Sequence, residues 1–221
     1  MTSWQDIQKS IRNCLRCQSA EGHIFAPFKG NWPTLPEPRR NAILFVSEAP
    51  PPDGGFWTIQ PLNAKQDDLR EKLLPLLKLL RSGSDRGFTA FCDSGYYLLQ
   101  SFPRPLKSSI AGIRCEDLKL LLRHQVKTHL YQQIEFFQPS AILALGRPAS
   151  AAVSMLWPRS TFARSFQKGS WKLQDVRGKI FEESHLPILS ATYLPSGNGR
   201  FWQKFWEQDI PSFVKRARSN A

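Results

Sequence analysis

In the run "ILFVSEAPPPDGGFW" (residues 43–57) an apolar segment ends on a lone acid, Glu48. Three prolines, an aspartate, two glycines and two aromatic rings follow it. Proline fixes φ and lacks an N–H, so neither helix nor ladder continues through residues 50–52, and the segment makes a stiff wall. A carboxylate held at such a mouth can activate water or stabilise positive charge developing on a substrate. The plain alternative is a solvated glutamate in a turn. A second chemical group is Cys14-x-x-Cys17, a two-ligand unit. With Cys92 and Cys115 it gives four thiols, the count for an all-cysteine iron–sulfur or zinc site. Four reduced thiols without metal is the competing reading. His124 and His129 stand five apart on a predicted helix, which turns them to different faces. His23 and His185 have no partner at ligand spacing. The sequence holds no Gly-x-Ser-x-Gly elbow and no phosphate-loop glycine pattern.

These groups need elements to position them. Apolar spacing predicts helices over residues 3–13 (Trp4, Ile7, Ile11) and 67–80 (Leu69, Leu73, Leu74, Leu77), with Pro75 as a kink in the second. One long amphipathic helix is predicted over 115–137. Another helix opens after Gly146, and "RFWQKFWEQDIPSFVKRA" closes the chain as a last one. Continuous apolar runs at 41–47, 95–102, 141–145 and 186–194 predict strands buried on both faces. Residues 156–182, rich in Arg, Lys, Ser and Trp, read as a loop-rich or short-hairpin excursion. Strands separated by helices imply a three-layer α/β/α sandwich around a four-stranded parallel sheet, in one domain spanning 1–221. Ligands of such sheets lie beyond the carboxyl ends of the strands. Four strand ends deliver Glu48, Gln100–Arg104, Gly146–Arg147 and Leu194–Arg200 to that edge.

Bulk properties narrow the class. The 221 residues are 41% hydrophobic and 22% charged, ordinary for a globular chain. No run approaches the roughly 18 apolar residues of a membrane helix. "MTSWQDIQKSIRNC" has no apolar core before a cleavage site, so a cytoplasmic protein is expected. The charge is less ordinary: 30 Lys+Arg against 18 Asp+Glu leaves a net +12 and a pI near 9.9. So basic a balance implies a polyanionic partner, nucleic acid first, with no membrane. Candidate patches are "PRR" (38–40), "FPRPLK" (102–107) and "KRAR" (215–218).

Five passages, in order along nearly the whole chain, resemble the uracil-DNA glycosylase superfamily, nearest its iron–sulfur bacterial and archaeal branch. "IRNCLRCQSAEGH" resembles that branch's N-terminal cysteine pair. "ILFVSEAP" resembles the first motif, a strand leading into Gly-Glu-Ala-Pro-Gly. "QQIEFFQPSAILALG" resembles the helix-Pro-strand-Leu-Gly passage. "TYLPSGNGR" resembles the second motif, normally His-Pro-Ser/Ala with an arginine four residues on. "FWEQDIPSFVKRA" resembles the closing Trp-x-x-Asp helix.

The resemblance implies an enzyme that removes uracil or another deaminated base from DNA in base excision repair. A base is flipped into a pocket and its glycosidic bond is hydrolysed. Glu48 would be the catalytic acid. Ala49 and Pro50 would wall the base, Phe56 or else Trp57 would stack on it, and Gln100 is the nearest amide for its edge, with Leu99 the equal alternative at that position. Leu194, Pro195 and Ser196 would form the second-motif loop, with Asn198, Arg200 and Arg104 contacting DNA. It further implies a 4Fe–4S cluster, for which Cys14, Cys17, Cys92 and Cys115 are the thiols present, and a monomer working at the nucleoid. The branch's last two ligand positions fall here on Phe102 or Pro103 and on Val126, so Cys115 replaces a ligand only if the helix is rebuilt locally.

Other departures are specific. The first motif's glycines are Ser47 and Pro51. The second motif's histidine is Leu194, which cannot donate a hydrogen bond to a departing base. That replacement sets a non-catalytic DNA- or damaged-base-binding protein beside the glycosylase as an expectation. An unrelated α/β enzyme acting on an acidic small molecule is the third.

Overall fold

The computed structural model describes residues 3–19, 24–27, 35–51, 55–57, 68–79, 87–107, 114–193 and 199–220. Its centre is a sheet of four strands, β1 (Ile43–Ser47), β2 (Tyr96–Gln100), β3 (Ala141–Leu145) and β4 (Ile188–Thr192), all parallel, in the order β2-β1-β3-β4. In register, Ile43 lies beside Tyr96 on one side and Ala141 on the other, and Ala141 beside Ile188. Every residue of β1, β3 and β4 is buried. The apolar runs read from sequence therefore lie between two helical layers.

Parallel neighbours need crossovers, which are almost always right-handed. The chain moves from β1 to β2 in one direction and from β3 to β4 in the other, so those crossovers fall on opposite faces. α5 (Cys115–Gln125), a π-helical turn (Val126–Leu130), α6 (Tyr131–Phe137) and α7 (Arg147–Leu156) pack together, with α7 lying on β3 and β1. α3 (Asp68–Leu76) packs on α9 (Gly199–Ser219), which lies along β4, while α4 (Gly87–Asp93) adjoins β2. Three layers result. Pro75 lies inside α3. α8 (Thr161–Lys168) occupies the stretch expected to be loop or hairpin. Ser160 caps it, accepting from the Ala163 N–H at 3.0 Å, and Phe162, Ala163 and Phe166 are its buried face. Among the described residues, no helix is long and apolar enough to cross a membrane.

Two docked helices matter for the sites below. α1 (Trp4–Arg12) starts at a capping box in which Ser3 and Asp6 satisfy each other's backbone N–H groups at 3.1 Å. Its buried face carries Trp4 against Phe136 and Tyr97, and Gln8, whose amide donates to Gln133 on α6 at 3.2 Å. This docking carries the following helix, α2 (Leu15–Ser19), to the π turn. At the other end of the chain, Trp206 and Asp209 lie three apart on α9 and so share a face. Trp206 Nε1 donates to the Tyr193 carbonyl, and Asp209 accepts from the Thr192 hydroxyl at 2.7 Å and from Arg177 at 3.4 Å. The Trp-x-x-Asp spacing thus grips the end of β4.

A mostly buried carboxylate with two donors is costly to remove, because both donors are left without their acceptor. Asp209→Ala should lower unfolding free energy by about 1–3 kcal/mol, read as a lower urea midpoint at unchanged slope.

Candidate functional site

The strand order makes β1 and β3 neighbours whose crossovers leave to opposite faces, and the crevice where they part is where open α/β sheets bind ligands. Glu48 and Gly146 each stand one residue past those two strands. Gly146 has φ of 91°, a conformation that glycine adopts without strain, and its N–H donates to the Thr192 carbonyl at 2.7 Å. Glu48 is 9% exposed. Its carbonyl accepts from the Phe102 N–H at 2.9 Å, and the Ser47 carbonyl accepts from both the N–H and the hydroxyl of Ser101. Backbone pairing therefore continues beyond β1 and β2 and fixes the acid at the sheet edge. A carboxylate in that position is partly desolvated, which strengthens its interaction with any cation formed beside it.

The neighbouring candidates divide. Ala49 is half-buried and Pro50 buried beside Glu48, and Gln100 is half-buried at the end of β2. Phe56 and Trp57 are core residues, 2% and 4% exposed. Phe56 lies 5.0 Å from Phe91 and Trp57 5.0 Å from Tyr97, between ring centroids. Their stacking partners are thus protein rings, where a role with a flipped base would need an open face. Leu194, Pro195, Ser196 and Asn198 lie outside the described residues, as does the Arg200 side chain. Arg104 is buried, donating Nη2 to the Arg12 carbonyl at 2.9 Å, so it faces the N-terminal helices.

The four cysteines do not assemble. Cys115 opens α5 and donates to the Ser170 carbonyl at 3.4 Å, and Cys92 sits on α4 beside Asp93 and Tyr97. Cys14 and Cys17 instead meet His124 and His129. The four donor atoms lie within 4.8 Å of one another, close enough to hold a metal ion. Cys14 Sγ is 3.6 Å from His124 Nε2, and Cys17 Sγ is 3.2 Å from His129 Nε2. The expectation that the histidines diverge fails for a structural reason. Residues 126–130 form a π turn, whose i→i+5 pairing inserts one extra residue and brings positions five apart onto one face.

Local chemistry matches that convergence. Burial, then the nearby His124 ring, lowers the His129 pKa to about 4, and burial also lowers that of His124. Both rings are therefore neutral near pH 7, the form that binds metals. Burial, with Cys14 beside it, pushes the Cys17 thiol up to about 11. Thr128 Oγ1 lies 3.2 Å from His124 Nδ1, leaving Nε2 toward the thiols, and the Gln125 amide donates to Cys17 Sγ at 3.4 Å.

A basic groove is a further feature that the patch reading missed. Lys119, Arg123 and Lys127 recur every four residues along α5 and the π turn and line a cavity of about 510 Å³ with Gln167 and Trp171. Lys119 Nζ stands 4.9 Å from the centre of the Trp171 ring. The four-residue spacing of cations was visible in the sequence.

No protein-family model matches this chain, and no curated protein matches its sequence. The function must be read from the sites themselves.

The thiols differ in a measurable way. Burial also pushes Cys92 to about 11, so at pH 8 roughly one Cys17 or Cys92 thiol in a thousand is ionised. In metal-free protein, iodoacetamide at that pH should modify Cys14 and Cys115 well before the buried Cys17 and before Cys92, which is part-exposed as they are but has its thiol pushed up by burial and by Asp93. Peptide mass spectrometry over time reads this order, and equal rates at all four would contradict the burial described.

Proposed function

We propose that this protein binds nucleic acid and hydrolyses a base–sugar bond at the carboxyl edge of its sheet, with Glu48 as the working carboxylate. One observation carries the reading: an acid, buried and fixed by backbone pairing, stands at the point where β1 and β3 part. The likeness of five sequence passages to uracil-DNA glycosylases, the net charge of +12 and the Lys119–Arg123–Lys127 groove support the same class of substrate.

The chemistry assigned to Glu48 is simple. As the C1′–N bond breaks, the electron pair leaves on the base and the sugar becomes oxocarbenium-like. Glu48 stabilises that cation and accepts a proton from the attacking water, whose oxygen bonds to C1′. The products are an abasic sugar and the free base, which takes up a proton. The Leu194 side chain supplies no donor to the departing base, so in this reading Gln100, at the end of β2, or Asn198 would take that task. A cofactor is not needed for the step. Any 4Fe–4S cluster would need ligands other than Cys92 and Cys115, because those thiols sit apart from Cys14 and Cys17.

The second reading, binding of DNA or a damaged base without turnover, is favoured by Leu194 alone. A preorganised donor at that position is typically worth about 3–4 kcal/mol of barrier.

Base release from a uracil-containing oligonucleotide separates the two. Under the glycosylase reading Glu48→Gln, which keeps shape and removes charge, should lower the rate by about 100- to 10,000-fold while DNA retention is unchanged. Leu194→His should raise it. Release by wild type that Glu48→Gln leaves intact would sink the role given to Glu48; no release by wild type or Leu194→His would leave binding as the function. Binding itself is checked by salt: Lys119→Ala and Lys127→Ala should each flatten the log affinity against log salt slope by up to about 1.

A further inference from the structure

We infer that Cys14, Cys17, His124 and His129 form a closed tetrahedral site for one divalent transition-metal ion, zinc above all, in place of the iron–sulfur cluster that the N-terminal cysteine pair suggests. The inference is independent of what the sheet edge does.

Distances decide first between one ion and a cluster. Zinc bonds of about 2.0 Å to nitrogen and 2.3 Å to sulfur place tetrahedral donors roughly 3.3–3.8 Å apart. Here each imidazole lies beside a thiol, at 3.6 and 3.2 Å, and no two donors are more than 4.8 Å apart. A two-iron centre with its cysteines on one iron and its histidines on the other would hold thiols and imidazoles a cluster's width apart. A four-cysteine cluster would require Cys92 and Cys115, and the latter's Sγ is hydrogen-bonded to Ser170.

The donor set decides next. Two thiolates and two neutral imidazoles sum to −2, which a dication neutralises. That matters where Cys17 is 1% and His129 2% exposed, since a buried net charge is expensive. Structural zinc sites use this Cys2His2 set with no open position. The surroundings are those of ligands rather than of reactive thiols. Thr128 Oγ1 engages His124 Nδ1 from behind, and Gln125 donates to Cys17 Sγ, the kind of outer hydrogen bonding that orients ligands.

The π turn is the second, independent observation. It interrupts a helix that α5 and α6 otherwise continue, and π turns are rare and frequently fall at functional sites. Its effect here is to bring His124 and His129 to the same side, facing α2. The ion would join segments 110 and 112 residues apart, fastening the N-terminal helices to the α5–α6 layer. With all four positions taken by protein, its role is structural.

The test is metal content of full-length protein purified without chelator from medium containing both iron and zinc. About one zinc per chain in colourless protein is expected, retained in Cys92→Ser/Cys115→Ser and lost in Cys14→Ser and His129→Ala. If those ligand variants fail to fold, protein produced with cobalt in place of zinc gives the answer. Tetrahedral cobalt with thiolate ligands shows intense visible bands, and weak octahedral absorption would overturn the site. Brown protein carrying two or four irons per chain, or folded protein with no bound metal, would overturn it equally. So would loss of zinc from the Cys92→Ser/Cys115→Ser protein.

Discussion

Parallel pairing of β1 on both its edges is the constraint from which the rest of the molecule follows. A strand hydrogen-bonded to β2 and β3 and buried on both faces has no route out except along its own axis. No hairpin can join such neighbours, so each connection crosses the sheet and each strand ends at one common edge. The burial of Glu48 is a product of that geometry, because the ladder runs on through Ser101 and Phe102 after β2 has formally ended. The same segment continues to Arg104, whose guanidinium holds the Arg12 carbonyl, and to Leu106, which bridges to Phe25. One stretch thereby connects the acid at the sheet edge to α1, α2 and the turn between them, which carry Cys14 and Cys17.

Much of this architecture was legible in the sequence, because continuous apolar runs have few interpretations. "ILFVS", "YYLLQ", "AILAL" and "ILSAT" are too short for helices and too apolar for surface strands, and helical spacing between them left a covered parallel sheet as the fold. α8 was hidden differently. Its signals were present, a capping Ser160 and Phe162 and Phe166 four apart, yet it has only eight residues amid Arg, Lys and Trp that read as loop.

The cluster of Cys14, Cys17, His124 and His129 shows where such reading stops. Cys14-x-x-Cys17 announced itself by spacing, but its partners did not. At 3.6 residues per turn, positions five apart point roughly 140° away from each other. Only a change of helical pairing, absent from any local pattern in "RHQVKTHLYQ", reverses that. A count of four cysteines then supplied a plausible but wrong completion, with Cys92 and Cys115 held by other elements. The acid at the sheet edge was easier, since strand ends and prolines mark it directly. Its aromatic neighbours were not, because Phe56 and Trp57 have the composition of a ligand-stacking pair and the environment of a core.

The span between the cysteine pair and its histidines also dictates an order of events as the chain is made. More than a hundred residues separate the two halves. Synthesis at about 5–20 residues per second means the thiols emerge roughly 6–20 s before the imidazoles. Closing so long a loop costs on the order of 4 kcal/mol in chain entropy, so the knot forms late, once the sheet has brought the helices near. Throughout that interval Cys14 and Cys17 are a bare dithiol on a nascent chain, open to oxidation or to a softer ion such as copper(I). Under the Cys2His2 zinc assignment, a reducing surrounding during translation would keep that pair available for the imidazoles that follow.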